Sequence, residues 1–190
     1  KVKAVFDQIS QNFGGVDILI SNAGFAIQSS LDELTKKQLD SSFDLNFFAH
    51  HYFVKHGTKI MKIQNMKGSV VFNISKQAVN PGPNFGAYGL PKATLMFLMK
   101  QYVVESSKYG IRFNGINADR IRSGLLNPNM IAKRAKSRGL TIEQYMAGNL
   151  LKEEVKASDV ADAFYHLSIS YRTTASVITV DGGNIESSLR

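Results

Sequence analysis

Cysteine is absent from the chain. That excludes disulfides, thiolate nucleophiles and cysteine-ligated zinc, and it suits a reducing compartment, so a cytoplasmic setting is expected. No stretch approaches 18 consecutive apolar residues and no charged-then-apolar leader opens the chain, so neither a membrane span nor a secretory signal is expected. An H-E-x-x-H motif is missing too. His50 and His51 stand six and five positions before His56, not the four of a helical metal pair. A packing or oligomer-facing role is therefore expected for them, and no metal. Internal repeats, low-complexity tracts and domain linkers are also lacking.

What remains is 190 residues, 44% hydrophobic and 20% charged, enough for one ordered domain with a sizeable core. The formal charge of +8 reads as a solvated basic surface rather than a nucleic-acid footprint. The densest basic run, 133–138, is short, has no interleaved aromatics and fits one face of a helix.

Residues 1–13 carry helical apolar spacing (Val2, Val5, Phe6, Ile9, Phe13) and meet a stop at Gly14-Gly15. The run 16–20 is short and nearly all apolar, as in a parallel strand covered on both faces. Residues 35–65 predict one long helix, broken early, with a capping box between Thr35 and Gln38. A buried strand over 70–74 follows, delivering Ser75 at its end. After a loop holding Pro81, Gly82 and Pro83, a helix begins near Tyr88 and runs to about Tyr109, with Pro91 in its first turn or so, where a missing N–H costs little. Its segment 93–104 is apolar almost all round, which points to a central position or an oligomer contact. A third strand spans 111–117. Residues 123–149 read as a mobile flap with short helices over 130–138 and 142–147. Ser158 is expected to cap a helix to about Tyr171, and 176–180 to form a fourth strand. Helix first, then alternating strand and helix, makes a parallel α/β sheet, whose ligands bind at the carboxyl ends of the strands.

A Tyr-x-x-x-Lys spacing alone carries little, since a chain of this composition holds roughly 0.6 such pairs by chance. Here it has company: Ser75 ends the strand 13 positions before Tyr88, Asn22 follows the first strand, and Asn46 lies 24 residues further on in a helix. A phenol with a pKa of about 10 is a poor base at neutral pH. A neighbouring Lys92 ammonium favours the phenolate and is expected to draw that pKa down. Tyr88 could then exchange a proton with a substrate hydroxyl or carbonyl, and Ser75 could hold the substrate oxygen.

These pieces resemble the short-chain dehydrogenase/reductase family. The matching runs are DILISNAG (17–24), DLNFFAHH (44–51), FNIS (72–75), YGLPK (88–92), YGIRFNGIN (109–117) and ITVDGG (178–183). The resemblance implies a Rossmann-like, doubly wound α/β sheet and hydride exchange with NAD or NADP. It implies Tyr88, Lys92, Ser75 and Asn46 as catalytic, Asn46 by positioning a water in a proton relay. Cofactor contacts would come from Asn22, Ala23, Gly24, Tyr88, Lys92, Ile121 and Ser123. It further implies a homodimer or homotetramer formed through helices 36–65 and 85–108. Asp119, Arg120 and Arg122 depart from the pattern, standing where the family usually has Pro-Gly and small residues. A surface ion pair and a substrate or phosphate contact both remain open for them. The runs 75–94, 117–126, 143–151 and 179–190 are similar to the dehydrogenase half of fused class II aldolase/short-chain dehydrogenases, which implies a hydroxyaldehyde substrate such as lactaldehyde, from deoxysugar catabolism.

The family's glycine-rich turn and its first strands have no counterpart in these residues, a segment of roughly 70 residues. The expectation is one truncated domain over 1–190, the C-terminal, active-site portion of the sheet, with its first strand's edge and faces uncovered. Two functions follow. One is an NAD(P)-dependent oxidoreductase acting on a small alcohol or aldehyde, with the missing half elsewhere in the polypeptide. The alternative is a non-catalytic remnant or oligomerisation module.

Overall fold

The strand-forming runs are short and apolar, and they pair in parallel in the order β1 (Ile18–Ser21), β2 (Gly68–Asn73), β3 (Ile111–Ala118), β4 (Val177–Val180). The computed structural model describes residues 1–184, so the tail of the run 179–190 lies outside the described residues. The helices are α1 (Val2–Phe13), α2 (Lys36–Phe43), α3 (Ala49–Gln64), α4 (Gly86–Ser106), α5 (Pro128–Lys136), α6 (Ile142–Met146) and α7 (Ala157–Ile169).

Side chains alternate across a strand, and β2 shows what that does. Val70, Phe72 and the following Ile74 enter a core with Phe6, Val54, Met61, Leu95 and Met99 of α1, α3 and α4. Val71 points the other way, joining Ile116 and Val160, Phe164 and Leu167 of α7. Helices therefore cover both faces, as a doubly wound Rossmann-like sheet requires. A third cluster of Leu126, Ile131, Ala135, Tyr145 and Met146 gives the 123–149 flap its own small core.

Three expectations are corrected. β1 is covered on one face only: Leu19 is buried, while Ile18 and Ile20 are half exposed. It is an edge strand among the described residues, and α7 reaches only as far as β2. Pro91 sits inside α4 rather than in its first turn. The carbonyl it orphans, that of Ala87, accepts the Ser42 hydroxyl at 2.6 Å instead, so the lost helical bond is replaced from α2. Ser158 lies within α7, whose cap is Lys156, with Asp159 accepting the Lys156 N–H at 2.8 Å. The Thr35–Gln38 capping box is present, and the break in the long helix is a π-turn at Asp44–Phe48.

Candidate active site

Parallel pairing brings every strand's carboxyl end to one edge of the sheet. There a cavity of about 510 Å³ opens. β1 delivers Asn22, Ala23 and Gly24 to it, β2 delivers Asn73 and Ser75, and β3 continues into Asp119, Arg120, Ile121 and Ser123. The first turns of α4 add Tyr88 and Lys92. Of the residues predicted from sequence only Asn46 is absent from the wall; it lies beneath it, fully buried.

Lys92 is the least expected resident of an interior, only 1% exposed. Its Nζ donates to the Asn73 carbonyl at 2.8 Å and stands 5.7 Å from the centre of the Tyr88 ring. Burial penalises the ammonium and lowers its pKa to about 7. The Tyr88 phenol moves opposite to expectation. Burial raises its pKa, with a hydrogen bond to Ser75 pulling the other way. Desolvation of the anion outweighs that bond, so Tyr88 holds its proton at neutral pH. Ser75 is anchored by its own backbone turn, its Oγ accepting the Gln77 N–H at 3.2 Å.

Asn46 falls in the π-turn, a feature that inserts a residue into a helix and recurs at functional sites. Its amide clamps Phe25 both ways, donating to the carbonyl at 2.9 Å and accepting from the N–H at 3.2 Å, and it donates to Ser42 Oγ at 2.9 Å. A Cβ added at Gly24 would sit 3.1 Å from Asn46 Oδ1, so a side chain there would press on the Asn46 amide. Asn22 in turn accepts from Asn73 Nδ2 at 2.6 Å.

His50, expected from sequence to serve packing or an oligomer contact, is a packed interior residue whose position beside the cavity the sequence did not show. The ring is buried and bridges the turn after β1. A carbonyl can only accept, so Nε2 donates to Ala23 O at 2.8 Å and Nδ1 accepts the Ser21 hydroxyl at 2.6 Å. Burial, then the charge of Lys92, lowers its pKa to about 4, which keeps the ring neutral. A helix position four residues after Asn46 was the available signal. Arg134 was missed, because the aromatics beside it, Phe85 and Tyr145, come from distant parts of the chain.

At 119–122 both open readings meet the structure. Arg122 makes a surface ion pair with Glu154. Arg120 instead lines the cavity with a positive φ of 52°, a conformation that favours glycine. It is held there by the carbonyls of Tyr145 and Gly148 at 2.9 and 3.0 Å and by Asp119 at 3.3 Å.

The family model described as enoyl-(acyl carrier protein) reductase matches residues 1–184. The chain belongs to the short-chain dehydrogenase/reductase family. It is 32% identical to the uncharacterized oxidoreductase YuxG of Bacillus subtilis over 96% of its own length, but spans only 28% of that protein. Short-chain dehydrogenase reductase 3a of Arabidopsis thaliana is 31% identical, with 91% of this chain and 67% of the relative covered. Among solved structures, carveol dehydrogenase from Mycobacterium avium in complex with NAD superposes with a TM-score of 0.88 at 24% identity, covering 97% of this chain and 70% of that one. No helix of the described residues is long and apolar enough to cross a membrane.

Proposed function

We propose that this chain is the active-site portion of an NAD(P)-dependent oxidoreductase that moves a hydride between the nicotinamide and a small alcohol or carbonyl compound. The observation that carries the reading is a buried lysine held beside a buried tyrosine, with Ser75 bonded to that tyrosine, at the carboxyl edge of a parallel sheet. Membership of the family and the oxidoreductase names of YuxG and other relatives support it.

The residues present fit the nicotinamide end of the cofactor. Asn22, Ala23, Gly24, Ile121 and Ser123 line one cavity with Tyr88 and Lys92. When bound, NAD(P) supplies or accepts the hydride. The protein's part is the proton. In carbonyl reduction the Tyr88 hydroxyl donates to the substrate oxygen, Ser75 donates a second hydrogen bond to that oxygen, and the Lys92 charge stabilises the phenolate left behind. Because burial keeps the phenol protonated, the site stands ready in this direction. Oxidation reverses each step.

The closest-fitting substrate from the sequence resemblance is a hydroxyaldehyde such as lactaldehyde. The length of YuxG, of which this chain matches 28%, supports a longer, fused polypeptide, and we place the adenosine-binding half of the site in its remainder. The remnant reading is less favoured, since a chain without catalysis would have no use for an ammonium whose burial destabilises the fold. Subunits would associate through α3 and α4. The test is fluorescence titration of the full-length protein with NADH and NADPH, followed by assay with lactaldehyde. Quenching or a blue shift at micromolar cofactor with turnover is expected; no response to either nucleotide would sink the proposal.

A further inference from the structure

The flap contributes to the cavity wall, and it carries a cation that makes no hydrogen bond or ion pair with the side chains of the described residues. Arg134 of α5 lines the cavity, half buried, with its guanidinium 4.5 Å from the centre of the Phe85 ring and 5.8 Å from that of Tyr145. Phe85 meets the Tyr88 ring edge-on at 6.5 Å, so Arg134 stands one aromatic ring away from the reacting phenol. Its side chain has no hydrogen bond or ion pair with any of the described residues. The lining acid that could neutralise it, Asp119, is already committed to Arg120 at 3.3 Å, Asn184 at 2.8 Å and Lys76 at 3.8 Å. Among the described residues that line the cavity, Arg120, Arg134 and the partly charged Lys92 face one carboxylate, that of Asp119, which leaves a positive balance. The position of Arg134 is fixed from behind, where Ile131 and Ala135 of the same helix pack with Tyr145 and Met146.

A guanidinium packed over aromatic rings, with no hydrogen bond to the described residues, has N–H donors available for a planar or tetrahedral anion. We propose that Arg134, with Arg120 supplying positive potential beside it, anchors an anionic group of the substrate. The substrate class is thus a small hydroxy or oxo compound bearing a carboxylate or phosphate a short chain away from the reacting carbon. The inference rests on the oxidoreductase reading and narrows it, making neutral lactaldehyde a poorer substrate than anionic compounds of similar size. Arg120 is itself held by two carbonyls and Asp119, so Arg134 is the specificity-determining residue.

The test uses the full-length protein and matched pairs: glyceraldehyde with glyceraldehyde 3-phosphate for the phosphate, butanal with succinic semialdehyde for the carboxylate. Wild-type protein is expected to prefer at least one anionic member by roughly 10- to 100-fold in kcat/KM. Arg134→Met should abolish that preference by raising KM for the anion, with the neutral member and the cofactor KM little changed. Arg134→Lys, which keeps charge without the planar fork, should restore part of it. Equal use of both members, or a variant that slows both alike or changes only the cofactor KM, overturns the proposal. Calorimetric titration with inorganic phosphate and with succinate needs no turnover. Binding that depends on Arg134 in a protein transferring no hydride would sustain the anion site while the oxidoreductase reading fails. Turnover of neutral aldehydes without any anion preference would do the reverse. Circular dichroism melts confirm that both variants fold, and if Arg134→Met does not, Arg134→Lys alone carries the comparison.

Discussion

Burying Lys92 to the point where its pKa falls to about 7 sets function against stability in one side chain. An unfolded chain holds that proton up to a pKa of about 10.5, so between pH 7 and 10.5 it binds more protons than the native state. Native stability therefore rises with pH through that window, and below pH 7 the full burial penalty applies. Lys92→Met is expected to stabilise the fold by on the order of 1 kcal/mol at neutral pH, despite losing the bond to Asn73, and to remove turnover. The gain should shrink as pH approaches 10.5, which thermal melts across that range would reveal. A variant less stable than wild type at pH 6 would mean that the ammonium is satisfied in the interior. Tyr88, Lys92 and Ser75 were legible in the sequence because one strand-loop-helix stretch carries all three. The direction of the Tyr88 shift was not, since residue spacing shows the nearby charge but not the depth of burial. The partners of His50 and Arg134, Ala23 and Phe85, were hidden for a related reason, since they are set by the fold.

Among the elements, α2, the π-turn and α4 are joined through a single hydroxyl. Ser42 accepts from Asn46 and donates to the carbonyl that Pro91 orphans. Removing it leaves a buried carbonyl and an amide donor short of a partner, each costly. Ser42→Ala is expected to lower stability by about 1–3 kcal/mol. It should also lower kcat by roughly tenfold, because α4 positions both Tyr88 and Lys92. Chemical denaturation and steady-state kinetics on the same sample measure the pair of effects. Unchanged values for both would show that water replaces the hydroxyl without consequence. Element types and order were readable from apolar periodicity, and the Thr35 capping box from two residues. The capping of α7 and the depth of Pro91 in α4 were not, because each depends on a neighbour outside the helix: the Pro91 gap is filled by Ser42, distant in sequence.

At the scale of the whole molecule, exposed apolar side chains are spread over the surface, and some of them lie on the two long helices. Leu90, Phe97 and Val104 fall at helical spacing along α4, and Phe97 is 68% exposed; Tyr52 and Ile63 lie exposed on α3. Stripes of this kind on a water-facing helix mark association surfaces. Size-exclusion chromatography with light scattering is expected to give a dimer or tetramer, and Phe97→Asp to shift it towards monomer; a wild-type monomer would contradict the assignment of these helices. The cavity, by contrast, lies at the strand ends, and Tyr88, Lys92 and Ser75, to which the proton transfer is proposed to fall, come from one chain, so the central claim concerns Tyr88. The decisive measurement is Tyr88→Phe in the full-length protein, comparing turnover with NADH affinity. The account predicts turnover reduced by a factor of about a thousand or more, in line with loss of a general acid, with the NADH dissociation constant changed by less than about threefold. Retained turnover, or loss of cofactor binding together with activity, would contradict the assignment of Tyr88 as the proton donor.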